Sequence, residues 1–206
     1  MRAAKVGPPS PRERVIRLAK ARAILRPKDL EAIGVPREYL RRLRDEGVLE
    51  QPARGLYVLA GAPPTEHQSL VEVCKRVPKG VICLLSALQY HELTTQIAHE
   101  VWIALPHGAW RPKLDTPRLR VVRYSDATLT YGVEQHRVGG AVLRVFNPAK
   151  TVADCFKYRN KIGLDVALEA LRDSLAQRKA TRDDIWKAAE VCRVANVMRP
   201  YMESLT

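Results

Sequence analysis

The sequence predicts an α+β protein in which a small N-terminal helical module with a two-stranded ribbon is followed by a mixed α/β C-terminal domain ending in a helical bundle. Three observations predict it. Residues 28–59, KDLEAIGVPREYLRRLRDEGVLEQPARGLYVL, read as two short helices and a ribbon. Ala60-Gly61-Ala62-Pro63-Pro64 is a small-residue and proline stretch of the kind that separates structural units. Beyond it short apolar runs mix with helical stretches, and from Asn147 onward the pattern is helical throughout. The predicted division is therefore 1–62 and 63–206.

Residues 1–10 are basic and rich in Pro and Gly, and read as a frayed terminus that could lie along a polyanion. Ser10-Pro11 reads as a cap and a first helical residue, opening a helix to about Ala23 with Val15, Leu18, Ala19 and Arg22 at helical intervals. The next helix, Pro27 to Ile33, ends at Gly34, whose backbone freedom suits a tight turn. Pro36 then stands where a first helical residue is expected, and Gly47 where a left-handed C-terminal residue is expected. Val48-Leu49-Glu50 and Leu56-Tyr57-Val58-Leu59 flank a polar turn that carries Arg54. Helix, turn, helix and ribbon make a winged helix-turn-helix.

In the second part, Thr65 is a candidate cap for a helix to Arg76, Val81 to Leu85 a buried strand, and Ser86 to Leu93 a short helix. Strands are expected at 101–105 and 118–124, joined by a loop in which Trp110 either stacks on a partner such as a nucleobase or caps the core. Residues 134–145 form a hairpin about Gly139-Gly140. Asn147-Pro148 caps a helix carrying Lys150, Thr151 and Asp154, a mixed polar turn of the kind usually found at a surface. Leu164, Leu168, Leu171 and Leu175 form a helical stripe assigned to the core. Thr181 opens a further helix through a capping box with Asp184, and a last helix runs from Ala195 to Leu205.

On the helix after Gly34, Tyr39, Leu40 and Leu43 share one arc, and Arg37, Arg41 and Arg44 form a strip at its border. A helix fits the major groove of B-DNA, and arginine can donate two hydrogen bonds to guanine or pair with phosphate. Arg37, Arg41, Arg44 and, at the ribbon tip, Arg54 are therefore the candidate DNA contacts, while Arg42 lies off the strip in solvent. The balance of charge agrees. The chain carries a net charge of +13, and residues 1–60 hold 14 Lys/Arg to 7 Asp/Glu, a net of +7.

Other classes find no support in the sequence. There is no Gly-rich phosphate loop, no nucleophile elbow and no paired carboxylates after a Gly-Ser, so no catalytic residue is assigned and no enzyme is expected. Cys74, Cys83, Cys155 and Cys192 are scattered in apolar contexts and read as reduced, buried thiols; no metal or cofactor is expected, and His91 and His99 read as packing or surface residues. No apolar run suits a signal core or a membrane span, which suggests a cytoplasmic, nucleoid-associated protein.

The chain resembles the AbiEi family of bacterial type IV antitoxins at Asp29–Leu59, at Ser86-Ala87-Leu88 and at Asn147–Arg172. The resemblance implies a transcriptional autorepressor whose winged helix binds inverted repeats in double-stranded DNA of its own promoter. It implies a C-terminal domain that contributes to repression and counteracts a nucleotidyltransferase-like toxin without necessarily forming a stable complex. The recognition-helix and wing positions carry over to Arg37, Arg41, Arg44 and Arg54, and Lys150, Thr151 and Asp154 match the family stretch as a possible antitoxin-domain motif. The rival expectation is a ligand-responsive winged-helix regulator whose C-terminal domain senses a small molecule in a deep apolar pocket.

Overall fold

The computed structural model describes residues 9–22, 24–62, 67–114 and 116–205. Residues 1–8 of the basic arm, Pro63 and Pro64 of the boundary stretch and the expected cap Thr65 lie outside them. The chain divides into two units. One holds the described residues up to Glu72 together with Val138–Ala141, and the other holds Val73–Arg137 and the residues from Val142 on.

The first unit opens with α1 (Pro11–Ala21), capped reciprocally: the Glu13 amide donates to Ser10 Oγ at 3.2 Å and the Ser10 amide to Glu13 Oε2 at 2.8 Å. Both orphan donors are thereby satisfied. Next come α2 (Pro27–Glu31), α3 (Glu38–Asp45), β1 (Leu49–Ala53) and β2 (Leu56–Leu59), with β1 and β2 antiparallel. Val15, Leu25, Leu30, Val35, Leu40, Leu43 and Leu49 make the core of this module. A smaller cluster in the same unit joins Ile24, Leu56, Val71 and Ala141.

From α4 (Gln68–Arg76) the chain enters the second unit, with β3 (Val81–Ile82), α5 (Leu84–Tyr90), β4 (Val101–Pro106), β5 (Leu119–Tyr124), α6 (Asp126–Thr130), β6 (Val133–Val138) and β7 (Ala141–Phe146). The five strands lie in the order β5-β4-β3-β7-β6, with β3 antiparallel to β4 and parallel to β7, and β4 parallel to β5. The β6–β7 turn is made by Gly139 and Gly140, both left-handed at φ 53° and 69°, as a two-residue hairpin requires. Five helices follow: α7 (Pro148–Lys157), α8 (Arg159–Ile162), α9 (Leu164–Ala176), α10 (Arg182–Cys192) and α11 (Ala195–Glu203). The fold is thus α+β with a terminal set of helices.

At the centre of that set lies α7, which packs against α5, α9, α10 and α11. A helix covered on every side must be apolar all round or neutralise its polar groups internally. Asn147 accepts the Lys150 amide at 2.8 Å and starts the helix; Thr151 Oγ1 donates to the Phe146 carbonyl at 3.1 Å; Lys150 Nζ meets Asp154 Oδ2 at 2.5 Å. Lys150, Thr151 and Asp154 are all fully buried, which corrects the expectation of a surface turn. The polar positions face the neighbouring helices and sheet, and only the tertiary packing determines that.

Two further expectations are corrected. The run Val81–Leu85 is a strand only to Ile82, because Leu84 adopts φ 46° and begins α5. On α9 the buried positions are Val166, Ala167, Ala170, Leu171 and Ser174, so of the leucine stripe only Leu171 is fully enclosed and Leu164 is exposed. Small side chains let α7 and α9 approach closely, and the larger leucines cover the edges of the contact.

His91, just after α5, donates from Nε2 to the Phe146 carbonyl at 2.7 Å. Burial lowers its pKa below the ordinary 6.5, and the carbonyl contact opposes this only in part. The folded state therefore binds protons less readily than the unfolded chain. The stability this confers is present above pH 6.5 and is lost as pH falls from there through the lowered folded-state value. Thermal unfolding followed from neutral pH to about pH 5 should show a decline in Tm that is smaller in His91→Gln.

Candidate nucleic-acid interface

The geometry of the first unit starts from its turns. Gly34 takes φ 60° between α2 and α3, and the Val35 amide donates back to Leu30 O at 3.1 Å. At the other end of α3, Gly47 takes φ 72°, its amide donates to Arg44 O at 2.9 Å, and the Val48 amide donates to Leu43 O at 2.9 Å. This paired closure is the Schellman motif, and it turns the chain directly into β1. Pro36 lies one residue outside the cap, since Arg37 is the N-cap and α3 proper begins at Glu38.

Leu40 and Leu43 anchor α3 in the core, so the side chains opposite them face solvent. Arg37, Arg41 and Arg42 are exposed and Arg44 is partly so. The four arginines differ in how they are held. Arg37 forms an ion pair with Glu31 across the turn, its Nε donating at 2.9 Å. Arg44 donates to Asp45 at 2.7 and 3.0 Å and to Gln51 of β1 at 3.0 Å, and Asp45 pushes its pKa further up. Arg42 lies 5.2 Å from the centre of the Tyr39 ring. The Arg41 side chain has no hydrogen-bond or ion-pair partner among the described residues.

The ribbon completes the module. β1 and β2 pair Leu49 with Leu59, Glu50 with Val58 and, past a bulge, Ala53 with Leu56. Arg54 occupies the tip beside Gly55 at φ 76°, exposed and unpartnered among the described residues. The ribbon has a third member that the sequence reading missed: Leu25 exchanges backbone hydrogen bonds with Tyr57 at 2.7 and 2.9 Å. Its only sequence signal is the apolar pair Ile24-Leu25 set between Arg22 and Arg26. Asp29 reinforces that corner, accepting from the Arg26 amide at 2.7 Å and from Arg22 at 2.9 Å.

At 100° per residue Glu38 and Asp45 lie between Arg41 and Arg42 on the outward face. The cations are therefore divided into two edges: Arg37, Arg41 and Arg44 on one side, Arg42 with Tyr39 on the other. Only the first edge continues to the ribbon, through the Arg44–Gln51 contact.

Residues 13–60 match the family described as transcriptional regulator, AbiEi antitoxin. The match covers this segment and not the rest of the chain. The segment's helices and ribbon have the arrangement of a winged helix-turn-helix, and the family is described as one of transcriptional regulators. No curated protein matches the chain. Among solved structures, the RV2827C protein from Mycobacterium tuberculosis superposes with a TM-score of 0.58 at 17% identity, over 88% of this chain and 72% of that chain. At that identity the likeness is one of fold, and it extends well beyond the AbiEi segment into the second unit. Among the described residues no helix is long and apolar enough to cross a membrane and no cluster of His, Cys, Asp or Glu is arranged to hold a metal.

Proposed function

We propose that the chain is an autorepressor that binds inverted repeats in its own promoter at the nucleoid, and that it is the antitoxin to a nucleotidyltransferase-like toxin. The observation that supports the DNA-binding half is the combination of Arg41 on α3 and Arg54 at the ribbon tip, two side chains with no partner among the described residues, within an AbiEi-type segment. Arg41 enters the major groove, and Arg54 reaches the backbone or the adjacent minor groove. Arg37 and Arg44 exchange their carboxylate partners for phosphate; exposed ion pairs are worth at most about 1 kcal/mol, so the exchange is inexpensive.

The division of labour falls near residue 62, with 63–206 carrying the antitoxin role. Lys150, Thr151 and Asp154 serve that role from within the core by fixing α7, since all three are fully buried. In cells, a reporter driven by the DNA upstream of this gene should be repressed by the wild type, and repression should weaken in Arg54→Ala. Co-expression with the neighbouring toxin should restore growth. A reporter indifferent to the wild-type protein would contradict the repressor reading, and unrelieved toxicity would contradict the antitoxin reading.

A further inference from the structure

The loop between β4 and β5 holds Trp110, the most exposed of the large apolar side chains among the described residues at 84%. A tryptophan offers some 150–250 Å² for burial, and here almost none of it is used within the chain. The loop is nonetheless anchored: the Ala109 amide donates to Pro106 O at 3.1 Å, and Arg76 Nη1 donates to Thr116 O at 3.0 Å. The indole thus stands on a fixed base. Beside it runs an open groove of about 530 Å³ lined by Trp110, Arg111, Pro112, Lys113, Leu114 and Leu119.

Charge is concentrated in the same place. Residues 106–124 contain five Lys/Arg (Arg111, Lys113, Arg118, Arg120, Arg123) and one acidic residue, Asp115. That is a net of +4, against +6 for all of residues 61–206, where 21 Lys/Arg face 15 Asp/Glu. Two of the cations are engaged: Arg120 lies 3.6 Å from Glu100 and 5.3 Å from the Trp102 ring, and Arg123 donates to Pro106 O at 2.9 Å. The side chains of Arg111, Lys113 and Arg118 are exposed and have no hydrogen-bond or ion-pair partner among the described residues, although the Arg118 carbonyl accepts from the Val101 amide at 2.8 Å.

We propose that this loop is a second nucleic-acid site, which takes an unpaired strand: Trp110 stacks on a base while Arg111, Lys113 and Arg118 hold the flanking phosphates. An exposed indole among free cations matches the way single strands are bound, with sequence-tolerant stacking on an aromatic face and a cationic track for the backbone. A duplex hides its base faces and would use the cations alone. An acidic protein segment would likewise use the cations and leave the indole without its stacking partner.

The test uses the full chain. Trp102 is buried and Trp186 partly so, which leaves Trp110 as the exposed emitter. Oligothymidylate and oligouridylate of about 12 nucleotides should quench its fluorescence and show saturable anisotropy when labelled. Binding should weaken as salt rises, with a log–log slope of about 0.7 per phosphate engaged. Trp110→Ala should lose about tenfold in affinity or more, Trp110→Phe should keep most of it, and Arg41→Ala, which disables the proposed operator contact, should bind as the wild type does. A preference for uridylate would assign the ligand to RNA through the 2′-hydroxyl, and a preference for thymidylate would assign it to DNA. Equal binding by Trp110→Ala, loss of binding in Arg41→Ala, or equal quenching by duplex or polyglutamate would each overturn the proposal.

Discussion

Replacing Asp154 by alanine should destabilise the protein by about 3–5 kcal/mol, the usual consequence of leaving one member of a buried ion pair without its counter-charge. Lys150 and Asp154 are both fully enclosed, and Lys150 Nζ lies 4.2 and 4.8 Å from the centres of the Phe146 and Tyr124 rings. Burial pushes the Asp154 carboxyl up, and the Lys150 charge and hydrogen bond, with a further hydrogen bond from Cys192, oppose this only in part. With Asp154 gone the ammonium has no water to turn to. Deleting both charges is a different experiment. Lys150→Met with Asp154→Leu should recover most of the loss, because an apolar pair of similar volume has no desolvation penalty. Urea unfolding of the two variants checks this. A loss below about 1 kcal/mol in the single variant, or a double variant no better than the single, would refute the account of α7.

Arg41→Ala should weaken specific DNA binding by about 1–3 kcal/mol, the range for an arginine bidentate to guanine. Arg42→Ala should cost much less. The two side chains are similarly exposed, so exposure does not separate them. Their settings do. Arg41 lies on the edge of α3 that runs to the ribbon and its side chain has no partner among the described residues to surrender, whereas Arg42 lies across Glu38 and Asp45 from that edge and is stacked on Tyr39. Arg37→Ala and Arg44→Ala should fall between, since each arginine gives up an ion pair to reach DNA. Equal small losses at Arg41 and Arg42 would remove the assignment of this edge as the one that meets the bases.

What could be read from the sequence was what local chemistry dictates. Ser10 with Glu13, Thr181 with Asp184, Asn147 before Pro148, the Gly139-Gly140 turn and the left-handed Gly34 and Gly47 all sit where their residue types require. Features set by neighbours distant in the chain could not be read so directly. The Leu25–Tyr57 bridge, the early end of β3 at Ile82, the rotation of the α9 stripe toward Ala167 and Ala170, and the burial of Lys150 and Asp154 all depend on packing between elements. The interface divides in the same way. Helical spacing and the turn residues located the arginines on an exposed helix and at a ribbon tip. Their inequality comes from Glu31 across a turn, Gln51 on a strand and Tyr39 three residues away, contacts that fix which cation is left free. Trp110 shows the limit of composition alone: its neighbours suit either a core cap or a partner surface, and only its exposure of 84% decides.

The most direct measurement is a gel-shift titration of the purified protein on the DNA upstream of its own gene beside a scrambled fragment, at 50 and 200 mM salt. With about six phosphates engaged, affinity for the upstream fragment should fall on the order of a thousandfold between those salt concentrations and should exceed that for the scrambled fragment at both. Equal affinity for the two fragments, or binding indifferent to salt, would contradict the winged helix as a specific DNA reader.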